Sequence, residues 1–308
     1  MSMWDEIKES FKRGNILTKL IYINLAVFLA ANIAYVIFSL LYSAGFPQGE
    51  TREYFMSKWL SYFMVPASFE RLLYKPWTII TYMFLHFNFF HILFNLLWLY
   101  MFGRIFLQYL TEKQLFSTYI LGGLSGALLY MISYNLFPGL SHDLDKSEML
   151  GASAGVMAVA MAISFYVPNY SVNLIFLGPV KLKYIALFFI FTDIIQIASN
   201  NSGGHIAHLG GVLYAYLFSI QLRRGKDIGQ GFNKLMDGLV TMFSKRKRKM
   251  KVSYKKKSVK DMTDMEYNQQ KAAKQEEIDR ILDKIAKSGY DSLTKSEKET
   301  LFKMSGRN

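Results

Sequence analysis

Apolar and polar residues follow one another along this chain in long blocks. Six blocks read as membrane-crossing helices, at roughly 16–43, 84–103, 115–137, 151–167, 180–199 and 205–222. A helix needs about 20 mainly apolar residues to cross a bilayer. The fourth and sixth blocks are short and rich in Gly and Ala. Small side chains let backbones approach, so these two belong inside a bundle rather than against lipid. Beyond residue 222 the pattern changes to dense Lys, Glu, Asp and Gln. Within that part, 264–287 carries an apolar stripe of Ile278, Ile281, Leu282 and Ile285, and Gly289 ends it. Thr294 followed by Glu297 spells a capping box that opens a last short helix. The expected fold is all-α: a polytopic membrane bundle of six transmembrane helices with a small cytosolic helical tail. Its expected parts are an N-terminal cytoplasmic segment at 1–15, a membrane body at 16–222 and a basic tail at 223–308 with a helical hairpin.

Charge sets the orientation. The 308 residues carry a net charge of +13, and 52% are hydrophobic. A basic chain invites a nucleic-acid reading, but the excess clusters just after the last apolar block. It lies in Lys245, Arg246, Lys247, Arg248, Lys249 and Lys251, then Lys255, Lys256 and Lys257. Basic residues there hold a loop in the cytoplasm, so a bilayer and not a nucleic acid is the expected partner. The same run is placed to attract anionic lipid, at about 1 kcal/mol per basic residue near the surface. Lys8, Lys12, Arg13 and Lys19 keep the N-terminus cytoplasmic as well. Lys181 and Lys183 then fall inside, and loop 138–149, with Asp143, Asp145 and Glu148, falls outside. The first block is too long for a signal-peptide core and is expected to be retained. The expected location is a multi-pass position in a bacterial inner membrane, with both termini cytoplasmic. The loop 44–83 holds Trp59, Tyr62, Phe63 and Trp77, which suit the membrane interface and equally an ordinary amphipathic connector. The absence of Cys excludes thiolate catalysis, disulfides and Cys-based zinc sites.

Polar residues at membrane depth mark candidate chemistry. Gly151-Ala152-Ser153-Ala154-Gly155 opens the fourth block, and Ala207-His208-Leu209-Gly210-Gly211 lies in the sixth. Ser153, Met157, Ala160 and Ser164 share one helical stripe, beside Gly151 and Gly155. His208 shares a stripe with Gly204, Gly211 and Ala215. If the two stripes face each other, Ser153 and His208 come within hydrogen-bond reach. A serine hydroxyl is a weak nucleophile until a base takes its proton, and His is suited to that near neutral pH. Either residue alone reads as packing; the pair reads as a serine hydrolase. His91 and Asn95, four apart at the entrance of the second block, share a face. With the backbone N–H of Ser153 they are candidate donors to a tetrahedral oxyanion. Without the Ser–His pair they would read as interhelical glue. Asp193 is an intramembrane carboxyl beside Thr192 and Gln196, where a structural hydrogen bond is equally expected, and it is given no catalytic role. His205 is expected to face the outer loops, with support of the site left open, and His142 to be solvated. No His-Glu-x-x-His helix or paired intramembrane carboxylates occur, so no metal or cofactor is expected.

Over roughly 16–222 the sequence resembles the rhomboid family of intramembrane serine proteases. The resemblance rests on the Pro76-Trp77 to Phe84-Leu85-His86 approach, the His91 and Asn95 pair, the Gly-x-Ser motif and the Ala-His-x-x-Gly motif, in that order. It implies Ser153 as nucleophile and His208 as general base, a dyad with no catalytic acid. It implies His91 and Asn95 at the oxyanion positions and His86 in support of the first loop, with Gly151, Gly155 and Gly211 as structural support. It also implies cleavage of transmembrane or membrane-adjacent segments of membrane proteins. Two positions depart from the family: Ala154 stands where many members have Gly, and Met157 where some carry a Tyr that stacks on the base. The alternative is a catalytically inactive rhomboid-like protein that binds or escorts membrane clients.

Overall fold

Caps and apolar run lengths decide where the helices of this computed structural model begin and end; it describes residues 2–42, 45–47, 50–174, 177–199, 201–243 and 263–305. Helix α1 (Met3–Arg13) opens with a reciprocal Ser2–Asp5 capping box, and α2 (Ile16–Tyr42) is a nearly unbroken apolar helix of 27 residues. Three short helices follow in the first loop: α3 (Glu50–Lys58), α4 (Phe69–Tyr74) and α5 (Thr78–Thr81). Next come α6 (Phe89–Tyr109), α7 (Glu112–Leu136), α8 (Pro138–Ser141) and α9 (Ser153–Tyr166). The series continues with α10 (Leu182–Gln196), α11 (Ser202–Arg223) and α12 (Gln230–Phe243). The second apolar block begins at 84, but its helix waits for Asn88, whose Oδ1 accepts from the N–H groups of Phe90 and His91.

Among the described residues, α2, α6 and α7 are long and apolar enough to cross a membrane. Helix α9 is apolar but has only 14 residues, or about 21 Å at 1.5 Å per residue. It lies in the middle of the bundle, where Ala158, Val159, Met161, Ala162 and Ile163 are fully buried. Its neighbours are α6, α7, α10 and α11. The close approach is made by glycine. A Cβ on Gly155 would sit 2.6 Å from the carbonyl oxygen of Tyr119 in α7, and one on Gly211 would strike that of Ala154. Helix α2 stands at the edge, tied to α7 by buried Asn24, whose Nδ2 lies 3.2 Å from the Tyr119 hydroxyl.

The all-α expectation needs correction at two places. Strand β1 (Val65–Pro66) pairs antiparallel with β2 (Glu148–Met149), and β3 (Ser171–Leu174) pairs with β4 (Gly178–Lys181). The second pair is a local hairpin whose chain reversal uses Gly178 at φ +68, a conformation open to glycine without steric cost. The first pair joins the first loop to loop 138–149. Side chains fasten it: Glu148 accepts from Arg71, from Lys75 Nζ at 2.8 Å and from Ser61 Oγ at 2.9 Å. The aromatic loop is therefore pinned to loop 138–149 by a partly buried charge cluster as well as by strand pairing.

The chain divides into two units, Met1–Lys245 and Arg246–Asn308. Helix α12 packs on α7 in the first unit, through the tilted ring pair of Phe116 and Phe232 and through Lys113 Nζ to Asp237 at 2.6 Å. In the second unit, α13 (Asp264–Ser288) ends at Gly289, φ +76, and α14 (Lys295–Ser305) follows. Ile281 and Leu293 are buried between these elements, and Glu297 caps α14 by accepting from the Thr294 N–H at 2.7 Å. The polybasic run 245–257 lies outside the described residues.

Candidate active site

Ser153 is the first residue of α9. The turn that delivers it is built around Gly151, at φ +127. The Gly151 N–H donates to the Tyr82 carbonyl at 2.9 Å. The next N–H, of Ala152, donates to His86 Nε2 at 3.3 Å. His86 is completely buried, and its Nδ1 lies 3.4 Å from the Phe84 carbonyl. A neutral ring protonated at Nδ1 satisfies both contacts, since Nε2 then accepts. His86 thus fixes the backbone just before Ser153. No side chain caps α9. The N–H of Ser153 has no partner within the helix and sits at its positive end.

His91 and Asn95 stand on α6. The His91 ring lies over the Gly151 backbone and meets the His86 ring edge-on, with centroids 5.1 Å apart. Asn95 donates through Nδ2 to the His91 carbonyl at 2.8 Å, which ties the amide to its own helix and leaves its second N–H available.

His208 stands on α11, where Gly211 brings that helix against the first turn of α9. Its Nδ1 lies 2.9 Å from Asp193 Oδ1, and His205 Nδ1 lies 2.8 Å from the same oxygen. His205 therefore turns into the bundle rather than to the outer loops, with its side chain 13% exposed. Asp193 is buried and bonds across to α11, not to Thr192 or Gln196. The grouping of Asp193 with both histidines was not foreseen. The two histidines are three apart on one helix and so share a face, which is the one local signal for it. The three could also hold a metal ion, since one ligand atom from each lies within 4.8 Å of the others. His142 is exposed and bridges Asp143.

Ser153, His208, His91, Asn95, Met157 and Asp193 all line one cavity of about 820 Å³. Ser153 and His208 share it without a direct hydrogen bond between them among the described residues. Such contacts are often loose before substrate binds. The cavity collects a hydroxyl nucleophile, an imidazole, a helix N-terminus and two further donors. That set suits acyl transfer through an oxyanion.

Residues 74–225 match the Rhomboid domain family, a stretch that contains His86, His91, Asn95, Ser153 and His208. Residues 262–307 match a family of unknown function, DUF6576. The chain is 30% identical over 158 residues to RHOMBOID-like protein 12, mitochondrial, of Arabidopsis thaliana. That alignment covers 48% of this chain and 47% of the relative, so the chain spans about half the length of the curated relative it matches. The apolar helices, the Rhomboid match and this likeness agree, and the chain is a membrane protein that belongs to the rhomboid family.

Proposed function

We propose that this protein is an intramembrane serine endopeptidase that cuts membrane proteins within or beside their transmembrane helices. The observation that carries the reading is the single cavity lined by Ser153, His208, His91 and Asn95. His208 takes the proton of Ser153 as Oγ attacks the scissile carbonyl carbon. The tetrahedral oxyanion is met by the Ser153 N–H at the uncapped start of α9, with His91 and Asn95 beside it. The proton passes from His208 to the leaving amine, and the C–N bond breaks. Water, deprotonated by His208, then attacks the Ser153 ester; His208 returns that proton to Ser153 Oγ as the acyl C–O bond breaks and the acid leaves. A helical peptide bond must be unwound before its carbonyl is attackable. Substrates with Gly or other weak helix formers near the outer membrane face are therefore favoured.

The six apolar runs are assigned as six crossings, with the short α9 sheltered in the bundle and both termini in the cytoplasm of a bacterial cell. Basic residues on either side of the body support that orientation. The basic run of the tail is assigned to anionic lipid. The test is labelling of the purified full chain by a fluorophosphonate. Labelling that Ser153→Ala abolishes supports the protease; an unlabelled protein that still binds membrane clients would mark an inactive rhomboid-like chain.

A further inference from the structure

We infer that Asp193 is a positioning residue for the base: its carboxylate holds His208 in the tautomer that leaves Nε2 open to Ser153. The inference rests on the dyad reading above and deepens it.

An ionised carboxylate only accepts hydrogen bonds. Asp193 Oδ1 lies 2.9 Å from Nδ1 of His208 and 2.8 Å from Nδ1 of His205. Both contacts therefore place the ring proton on Nδ1. A neutral His208 so protonated carries its lone pair on Nε2, across the ring from Asp193. Both Asp193 and Ser153 border the cavity that His208 lines. When Nε2 takes the proton of Ser153 Oγ, the ring becomes an imidazolium, and its Nδ1–H already rests on an anion. The proton then leaves through Nε2 to the leaving amine. Asp193 stays ionised throughout, so the step balances without further reactant.

The way the carboxylate is used supports a positioning role. Asp193 is 4% exposed, yet Oδ2 has no hydrogen-bond partner among the described residues. A carboxylate placed only for packing is expected to satisfy both oxygens. Here both contacts converge on the oxygen that meets the two histidines. His205, edge-on to His208 with ring centroids 5.8 Å apart, steadies that oxygen from the second side. The other titratable or charged groups bordering the cavity are His91 on α6, Arg52 on α3, Tyr130 and Tyr134 on α7 and Glu148 on β2. Glu148 is already taken by Arg71 and Lys75. Asp193 is thus the carboxylate available to the base.

The test compares the full-length protein with Asp193→Asn, Asp193→Glu and His205→Ala in detergent, on one model transmembrane substrate. Asp193→Asn is expected to lower kcat by about 10²–10⁴-fold, as loss of a tautomer-fixing carboxylate does elsewhere, with KM within about threefold. Asp193→Glu, which restores the charge, is expected to recover at least tenfold over Asn, and His205→Ala to lose less than tenfold. In protein carrying ¹⁵N-histidine, His208 is expected to show a protonated Nδ1 that Asp193→Asn abolishes. Activity of Asp193→Asn within twofold of the parent, or a proton on Nε2 of His208 in the parent, would overturn the inference. So would stoichiometric bound metal, which would assign the three side chains to coordination. The nitrogen spectrum is also taken on Ser153→Ala. If that variant keeps its activity, the dyad reading fails, and the spectrum still decides separately whether Asp193 holds His208.

Discussion

The His91 ring rests on the backbone of Gly151 so closely that a Cβ there would lie 2.7 Å from its Cε1 atom. Gly151 also stands at φ +127, where an L side chain is strained. Gly151→Ala is therefore expected to push His91 out of the cavity and to twist the turn that presents Ser153. Steady-state cleavage should fall by at least about 10²-fold, the scale set by removing one oxyanion donor, while helicity is retained. Normal turnover by Gly151→Ala would mean that neither contact bears on the site.

Asn95 gives a milder test of the same region. Its amide bonds the His91 carbonyl and borders the cavity. Asn95→Ala is expected to lower kcat by about 10²–10³-fold with little change in KM, because a preorganised donor acts mainly on the transition state. A variant that unfolds but keeps normal specific activity in its folded fraction would make Asn95 interhelical glue.

Gly211 sets the distance between the helices that carry His208 and Ser153. Its missing Cβ faces the Ala154 carbonyl, a backbone atom that cannot swing aside. Gly211→Ala is expected to cost about 1–3 kcal/mol, as overpacking of a core does, read from the loss of denaturation midpoint. Cleavage should fall with it, since α11 must move away from α9. An unchanged midpoint would show that the helices have slack there.

Much of this arrangement was legible in the sequence. The long runs of α2, α6 and α7 announce themselves by length, and Asn88 and Thr111 mark starts that a block boundary misses. Ser153 and His208 stood out because polar groups among Gly and Ala at membrane depth are costly. The pairing of Val65 with Met149 was not legible, because two-residue strands far apart in sequence leave no periodic signal. Nor was the bond between Asp193 and His208, which depends on how α10 and α11 are rotated. The packing of α12 on α7 was hidden behind the charged composition that follows residue 222.

The second unit makes a pH prediction of its own. Hydrogen bonds from Lys284, and then from the Thr294 N–H and hydroxyl, hold the Glu297 carboxyl down at about 2. A depressed acid stabilises the folded form above its ordinary range and loses that contribution as pH falls through the folded value. Protection factors of the first amides of α14, measured by hydrogen exchange in the full chain, should be flat above about pH 5. They should decline from there toward pH 2, and Glu297→Gln should already show the low values at neutral pH. A flat profile in the parent would mean that the cap does not hold α14.

The most direct measurement is cleavage of a model transmembrane substrate by the reconstituted parent beside Ser153→Ala and His208→Ala, each checked for retained helicity and expression. The account predicts that the parent cuts the substrate once, near the outer membrane face, and that neither variant cuts it detectably. Substantial turnover by either folded variant, or none by the parent, would contradict it.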